Sequence, residues 1–160
     1  MSHTGVEYMK TMNSFFYDQV KTADQKAAYV FTFLTILFVF SKDPKAILIW
    51  LHEPPSLSLT WILSLILTMS ACFSLLCAGL VVLPRSKSGG ASLYWGAWNQ
   101  PGGYVLPAVI EDAFVIEEYK TNVRNLAHIC QVKYRFVGLA FRGAFFTILI
   151  HIWLLALSVT

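Results

Sequence analysis

Apolar side chains recur at helical spacing from Val6 to Ala27 and then merge into an uncharged stretch. Apolar residues at every third or fourth position are typical of an amphipathic helix with one buried face. Because no glycine or proline lies between Val6 and Ser41, the pattern predicts a single helix that continues into the uncharged stretch. Lys42-Asp43-Pro44 is expected to end this helix, since proline disfavours helical structure in the residue before it.

Two later stretches are long and apolar enough to cross a bilayer. Leu57–Leu83 contains 27 residues without a charge, and as a helix it would extend about 40 Å, more than the roughly 30 Å hydrocarbon core. Gly143–Val159 contains 17 uncharged residues and extends back to Phe136, with Arg142 as the only interruption. Near one end of a span, this arginine can snorkel to the headgroups.

A second amphipathic helix leads into the last apolar stretch. It is expected to begin at Leu106-Pro107 and to hold Glu111 and Asp112 in its first turns, where acidic side chains favour the helix dipole. Exposing its apolar stripe, or that of the first helix, would cost about 25 cal/mol per Å². The two amphipathic segments are therefore expected to pack together or to drive oligomerisation.

Together these patterns predict an all-α integral membrane fold with three transmembrane helices, of which the first and third extend into the cytoplasm as long amphipathic helices. Only 15 uncharged residues separate Lys26 from Lys42, so the first span crosses fully only if both lysines snorkel or the bilayer thins. The expected segments are a cytoplasmic helix (1–26), the first span (27–41), an outer loop (42–56), the second span (57–83), an aromatic, Gly-rich cytoplasmic loop (84–106), a cytoplasmic helix (107–136) and the third span (137–160).

Composition and charge support this class and give an orientation. The chain is 56% hydrophobic and 13% charged, whereas about a quarter of the residues in soluble domains are charged. With the N-terminus inside, nine Lys and Arg residues fall in the inner segments and two in the outer loop, as the positive-inside rule requires. The first 25 residues lack the apolar core of a signal peptide, so we expect an anchored chain with a cytoplasmic N-terminus.

No residue set points to catalysis or to a metal. The four histidines lie in different regions without ligand spacing, and no Walker or Gly-x-Ser-x-Gly pattern occurs. Glu111, Asp112, Glu117 and Glu118 are interpreted as a solvated face near a helix start and not as a catalytic pair. No extended basic surface indicates nucleic-acid binding. We therefore expect a protein that is not an enzyme and has no cofactor, metal or nucleic-acid partner.

Candidate binding residues lie in the aromatic loop. Tyr94 and Trp95 can stack on a nucleobase while the nearby Arg85 holds a phosphate. From the residues alone, an aromatic belt at the inner membrane interface is the favoured interpretation, and ligand binding is the alternative.

The second span has a polar side formed by Ser64, Thr68, Ser70 and Ser74. Small and hydroxyl-bearing residues allow helices to approach closely and to form interhelical hydrogen bonds. Self-association is the favoured interpretation, and a hydrated pore lining is the alternative.

Two charged clusters stand where the amphipathic helices become apolar. One is Ala23-Asp24-Gln25-Lys26-Ala27, and the other is Val132-Lys133-Tyr134-Arg135. If both helices enter the membrane from the same side, Asp24 lies at the depth of Lys133 and Arg135 and can pair with either cation. This predicts a switch pair at the inner interface.

Four motifs, taken in order, resemble the transmembrane effectors of Pycsar, the pyrimidine cyclase system for antiphage resistance. They are Asp24-Gln25-Lys26-Ala27, Leu83-Pro84-Arg85, Leu93-Tyr94-Trp95-Gly96 and Lys133-Tyr134-Arg135, and the likeness covers roughly residues 15–155. The resemblance implies a bacterial inner-membrane effector that is switched on by cyclic CMP or cyclic UMP from a cognate cyclase. Its output would be loss of membrane integrity and abortive infection. Trp95 and Trp98 depart from the smaller aromatics expected there, which leaves the nucleotide open.

On this resemblance, the nucleotide phosphate would compete for Lys133, Arg135 and Arg85 while Tyr94 or Trp95 stacks on the base. Helix rearrangement and growth of a homo-oligomer would then breach the bilayer. The alternative is a non-enzymatic membrane adaptor or pore-forming protein that resembles the SLATT family and is triggered by a partner protein. Binding of a cyclic nucleotide distinguishes the two.

Overall fold

The computed structural model describes residues 3–40, 59–83, 92–93 and 107–159. These residues form three α-helices and no strand, which confirms the predicted all-α class. They are α1 (His3–Phe40, 38 residues), α2 (Leu59–Val82, 24 residues) and α3 (Asp112–Val159, 48 residues). Each is long and apolar enough to cross a membrane.

The predicted continuity of the first helix is confirmed, because α1 runs without a break from its amphipathic part into its apolar part. Its polar side chains are accommodated locally. Thr35 Oγ1 donates to the Phe31 carbonyl oxygen at 2.8 Å within the apolar part, and Thr11 Oγ1 donates to the Glu7 carbonyl at 2.9 Å. A hydroxyl bonded to its own helix needs no water, which is the condition for placing it in a span.

The start of α3 differs from the expected one. The helix begins at Asp112 and not at Leu106-Pro107. The Val115 N–H donates to the Glu111 carbonyl at 3.2 Å, so this carbonyl accepts the first bond of the helix and Glu111 occupies the cap position. Both carboxylates therefore lie at the positive end of the helix dipole, where they are most stabilising.

The chain forms two compact units. The amphipathic unit comprises Met1–Ala23 and Pro84–Lys133, and the apolar unit comprises Asp24–Leu83 and Tyr134–Thr160.

In the amphipathic unit, α1 and α3 contact each other. Asn122 Nδ2 donates to Asn13 Oδ1 at 2.6 Å, and a Cβ placed at Gly5 would lie 3.7 Å from Ile116 Cδ1. The two amphipathic segments therefore contact each other within one chain.

In the apolar unit, α2 packs against the second half of α3. Leu63, Leu67 and Leu154 form a buried cluster, against which Ile150 and Leu157 also pack. In lipid, such packing is held by van der Waals contact and not by expulsion of water, because lipid tails are as apolar as leucine.

A line of hydroxyl groups joins the same two helices. Ser74 Oγ donates to the Ala140 carbonyl at 2.5 Å, and Ser70 Oγ donates to the Gly143 carbonyl at 3.1 Å. Thr147 Oγ1 lies 2.9 Å from the Gly143 carbonyl and 3.2 Å from Ser70 Oγ. The predicted interhelical bonding of Ser70 and Ser74 is thus confirmed, and their bonds are made to α3 of the same chain.

Candidate functional site

Each charged cluster lies where its own helix passes from one compact unit to the other. The amphipathic unit ends at Ala23 on α1 and at Lys133 on α3, and the apolar unit begins at Asp24 and at Tyr134. Both helices continue through this point without interruption. The residues that the sequence selected therefore lie where each helix passes from one unit to the other.

The two cations of the α3 cluster have different surroundings. Lys133 is 5% exposed, and it is the one charged side chain among the described residues that is buried. Arg135, two positions further on, is exposed, because residues two apart in a helix do not share a face. An enclosed ammonium is costly unless it is paired, whereas an exposed guanidinium can receive an incoming anion. The sequence treated these cations as alternatives, and the structure shows that they differ in burial.

Asp24 is half-buried on α1. Its pairing with Lys133 or Arg135 stays a prediction.

A contact that the sequence did not predict joins the two clusters on the side of the apolar unit. The Lys26 ammonium lies over the Tyr134 ring, 5.2 Å from the ring centroid. An ammonium within about 6 Å of a ring centroid is attracted by the negative face of the ring. Both residues stand in motifs that the sequence singled out, but their pairing depends on the register of α1 against α3. A search for cations and rings at matching distance from the start of each span would have suggested the pair.

The loop residues of the candidate site, Arg85, Tyr94 and Trp95, lie outside the described residues. The two described residues immediately before Tyr94 form a turn, and the Ser92 N–H donates to Glu118 Oε2 on α3. Glu118 is half-buried, so its assignment to a solvated acidic face was wrong. Its carboxylate fixes the chain to α3 at the position where the aromatic motif begins.

Glu118→Ala is expected to speed hydrogen exchange of the Ser92 amide about tenfold in the purified protein. A hydrogen bond to a charged group contributes about 1.5–3 kcal/mol, and the Ser92 N–H loses this acceptor in the variant. Glu117→Ala is the matched control, since this exposed carboxylate pairs with Lys120 Nζ at 3.2 Å on the surface. Equal exchange of the Ser92 amide in the two variants would show that Glu118 does not accept this bond.

The described residues offer no alternative metal chemistry. Among them, no three His, Cys, Asp or Glu side chains lie close enough to hold a metal ion. Burial raises the pKa of the Cys130 thiol, which disfavours the thiolate, the form that binds metals and acts as a nucleophile.

Comparison with known proteins gives one match. A family model described as PycTM, Pycsar effector protein domain, matches residues 8–160. No curated protein and no solved structure shows significant similarity to the chain. The match covers all three helices apart from the first turn of α1. The chain therefore belongs to the Pycsar effector protein domain family, as its motifs indicated, and is a multi-pass membrane protein with an antiphage defence effector role.

Proposed function

We propose that this protein impairs the bacterial inner membrane, and so aborts infection, when cyclic CMP or cyclic UMP from a cognate cyclase binds to it. The observation that carries the proposal is the position of the two charged clusters, one on α1 and one on α3, where each helix passes from one unit to the other. Both helices run unbroken from the amphipathic unit into the apolar unit, and each carries a charged cluster at the crossing. A ligand that acts on these clusters acts on two helices that continue into the spans.

Arg135 is the proposed first contact of the nucleotide phosphate. It is exposed, and a guanidinium offers a planar fork of donors that fits phosphate oxygens. Arg85 adds a second cation, and Tyr94 or Trp95 stacks on the pyrimidine. Lys133 is buried in the described arrangement, so it contributes to phosphate binding only after the helices rearrange.

The difference in burial between Lys133 and Arg135 is the basis of the proposed switch. A ligand shifts an equilibrium between two arrangements only as far as it binds one of them better. The resting arrangement keeps Lys133 enclosed, with Asp24 as the proposed partner of Lys133 or Arg135. The active arrangement turns Lys133 towards the phosphate, and the altered packing of the spans lets homo-oligomers grow and breach the bilayer. In this proposal the N-terminus and the aromatic loop lie in the cytoplasm, where the nucleotide is made.

Arg135→Gln is expected to weaken binding of the activating nucleotide about tenfold or more, because a charge-assisted hydrogen bond contributes about 1.5–3 kcal/mol. Calorimetric titration of the purified protein with cyclic CMP and cyclic UMP measures this change. In cells supplied with the nucleotide, a potential-sensitive dye should show depolarisation by the wild type and a reduced response for Arg135→Gln, Lys133→Ala and Trp95→Ala.

Arg124→Gln is the matched control, because Arg124 is also an exposed arginine on α3 but lies away from the boundary. It removes the same charge and should leave binding and depolarisation unchanged. If Arg124→Gln and Arg135→Gln lost nucleotide binding to the same extent, the loss would be explained by the change in net charge and not by a specific contact of Arg135. Absence of binding by both nucleotides would favour the SLATT-like adaptor triggered by a partner protein.

A further inference from the structure

Within the apolar unit, α1 and α3 enclose an apolar groove with a volume of about 380 Å³. Its floor is formed by small or slender side chains, Val30 of α1 and Ala144 of α3, both buried. Its walls are aromatic and largely exposed, and they consist of Tyr29, Phe33, Phe141 and Phe145. A buried floor between exposed aromatic side chains makes this an open apolar groove along two neighbouring helices.

One end of the groove carries positive charge. Lys26 lies three and four residues before Tyr29 and Val30, so it shares their face of α1 one turn away. On α3, Tyr134 stands seven residues before Phe141 on the same face, and its ring contacts the Lys26 ammonium. The apolar groove therefore ends at an ammonium group and a phenol.

The sequence places this end at headgroup depth. Lys26 is the last charged residue of α1, and every residue from there to Phe40 is uncharged. Tyr29 is 71% exposed at the same end, and tyrosine is enriched where hydrocarbon meets headgroups. Arg142 is exposed three residues before Phe145, and its side chain tilts towards the N-terminal end of α3, which is also the end where Tyr134 lies.

We propose that this groove binds an anionic phospholipid, with one acyl chain between α1 and α3 and its phosphate on the Lys26 ammonium. A hydrocarbon chain matches an apolar, aromatic groove in both chemistry and shape. The cation at the headgroup end complements the phosphate of an anionic phospholipid. A second copy of the chain is the competing occupant, since its Asp24 is also anionic, and the test below separates the two. Lys26 and Tyr134 adjoin the proposed nucleotide contacts Lys133 and Arg135 in sequence, but the lipid proposal does not depend on nucleotide binding.

The test is native mass spectrometry of the detergent-purified full chain, incubated with phosphatidylglycerol or with phosphatidylcholine of identical acyl chains. The wild type should retain phosphatidylglycerol in preference to phosphatidylcholine. Lys26→Gln should lower phosphatidylglycerol retention about fivefold, since a basic residue at an anionic surface contributes about 1 kcal/mol. Ala144→Phe raises the floor of the groove and should lower retention of both lipids.

Two control variants make the same changes outside the groove. Lys21→Gln removes an exposed lysine of α1, and Ala156→Phe enlarges an exposed alanine of α3; both should retain lipid like the wild type. Equal retention of the two lipids by the wild type, or unchanged retention in Lys26→Gln, overturns the proposal. Loss of dimers with unchanged lipid retention in Ala144→Phe also overturns it, because the occupant is then a second copy. If Ala144→Phe does not fold, the Lys26→Gln and Lys21→Gln comparison decides alone.

Discussion

Gly143→Ala is expected to destabilise the packing of α2 on α3 by about 1–3 kcal/mol, the usual cost of an extra methyl group in a tight contact. A Cβ at this position would lie 2.8 Å from Ser74 Cβ and 3.3 Å from Ser74 Cα. These atoms belong to or adjoin the backbone of α2, so relief requires the helices to move apart. Separation would also lengthen the bond from Ser70 Oγ to the Gly143 carbonyl, now 3.1 Å. Unfolding of the purified protein in detergent, followed by circular dichroism, measures the change.

Gly138→Ala is the matched control on the same helix. A Cβ there meets no atom within 4 Å, and alanine is favoured over glycine in a helix by about 0.8–1.0 kcal/mol. The two substitutions are chemically identical, yet they should have opposite signs. If Gly143→Ala stabilised the protein as much as Gly138→Ala does, the close contact at Ser74 would not exist in the folded protein.

Leu67→Ala is the second substitution with a large expected effect, a destabilisation of about 2 kcal/mol. Leu67 is 0% exposed and packs in the cluster with Leu63 and Leu154. For a helix pair in lipid, the transfer of leucine from water contributes little, so the expected cost comes from the cavity, at about 24 cal/mol per Å³. The same unfolding measurement detects it.

Leu76→Ala controls for the change in residue type. Leu76 lies on the same helix and is 63% exposed, so its removal opens no cavity and should change the stability little. A larger destabilisation by Leu76→Ala than by Leu67→Ala would mean that Leu67 is lipid-facing and that α2 is rotated relative to α3. Such a result would also place Ser70 and Ser74 away from α3.

The hydrogen bonds and close contacts of α2 with α3 bear on the proposed switch. Ser70 and Ser74 of α2 donate to the Gly143 and Ala140 carbonyls of α3, and Thr147 of α3 donates to Ser70. Breaking several buried polar bonds in lipid without replacement is costly, so we expect α2 and α3 to move together when the nucleotide binds. Variants at Gly143 therefore test folding, whereas variants at Arg135 test signalling.

Much of the fold could be predicted from periodicity and charge. The continuity of α1 followed from the lack of glycine and proline over its length, and the position of α2 followed from an uncharged run. The start of α3 was placed too early, because Pro107 is a common first helical residue, whereas the cap at Glu111 depends on local backbone geometry.

The candidate site could be predicted less completely. Asp24, Lys133 and Arg135 were found because charge at the start of an apolar run is visible in the sequence. The burial of Lys133, the exposure of Arg135 and the bond of Glu118 to Ser92 were not visible. Each depends on which face of α3 is covered, and periodicity does not identify the covering segment.

By itself, the sequence determined the membrane class, the three helices and the family, because long uncharged runs and ordered motifs are properties of neighbouring residues along the chain. Only the tertiary structure decided that Lys26 lies over Tyr134 and that Gly143 lies against Ser74. These pairs are more than 60 residues apart in the chain. Their meeting depends on the register and rotation of packed helices, which for α2 and α3 are set by small side chains and interhelical hydrogen bonds.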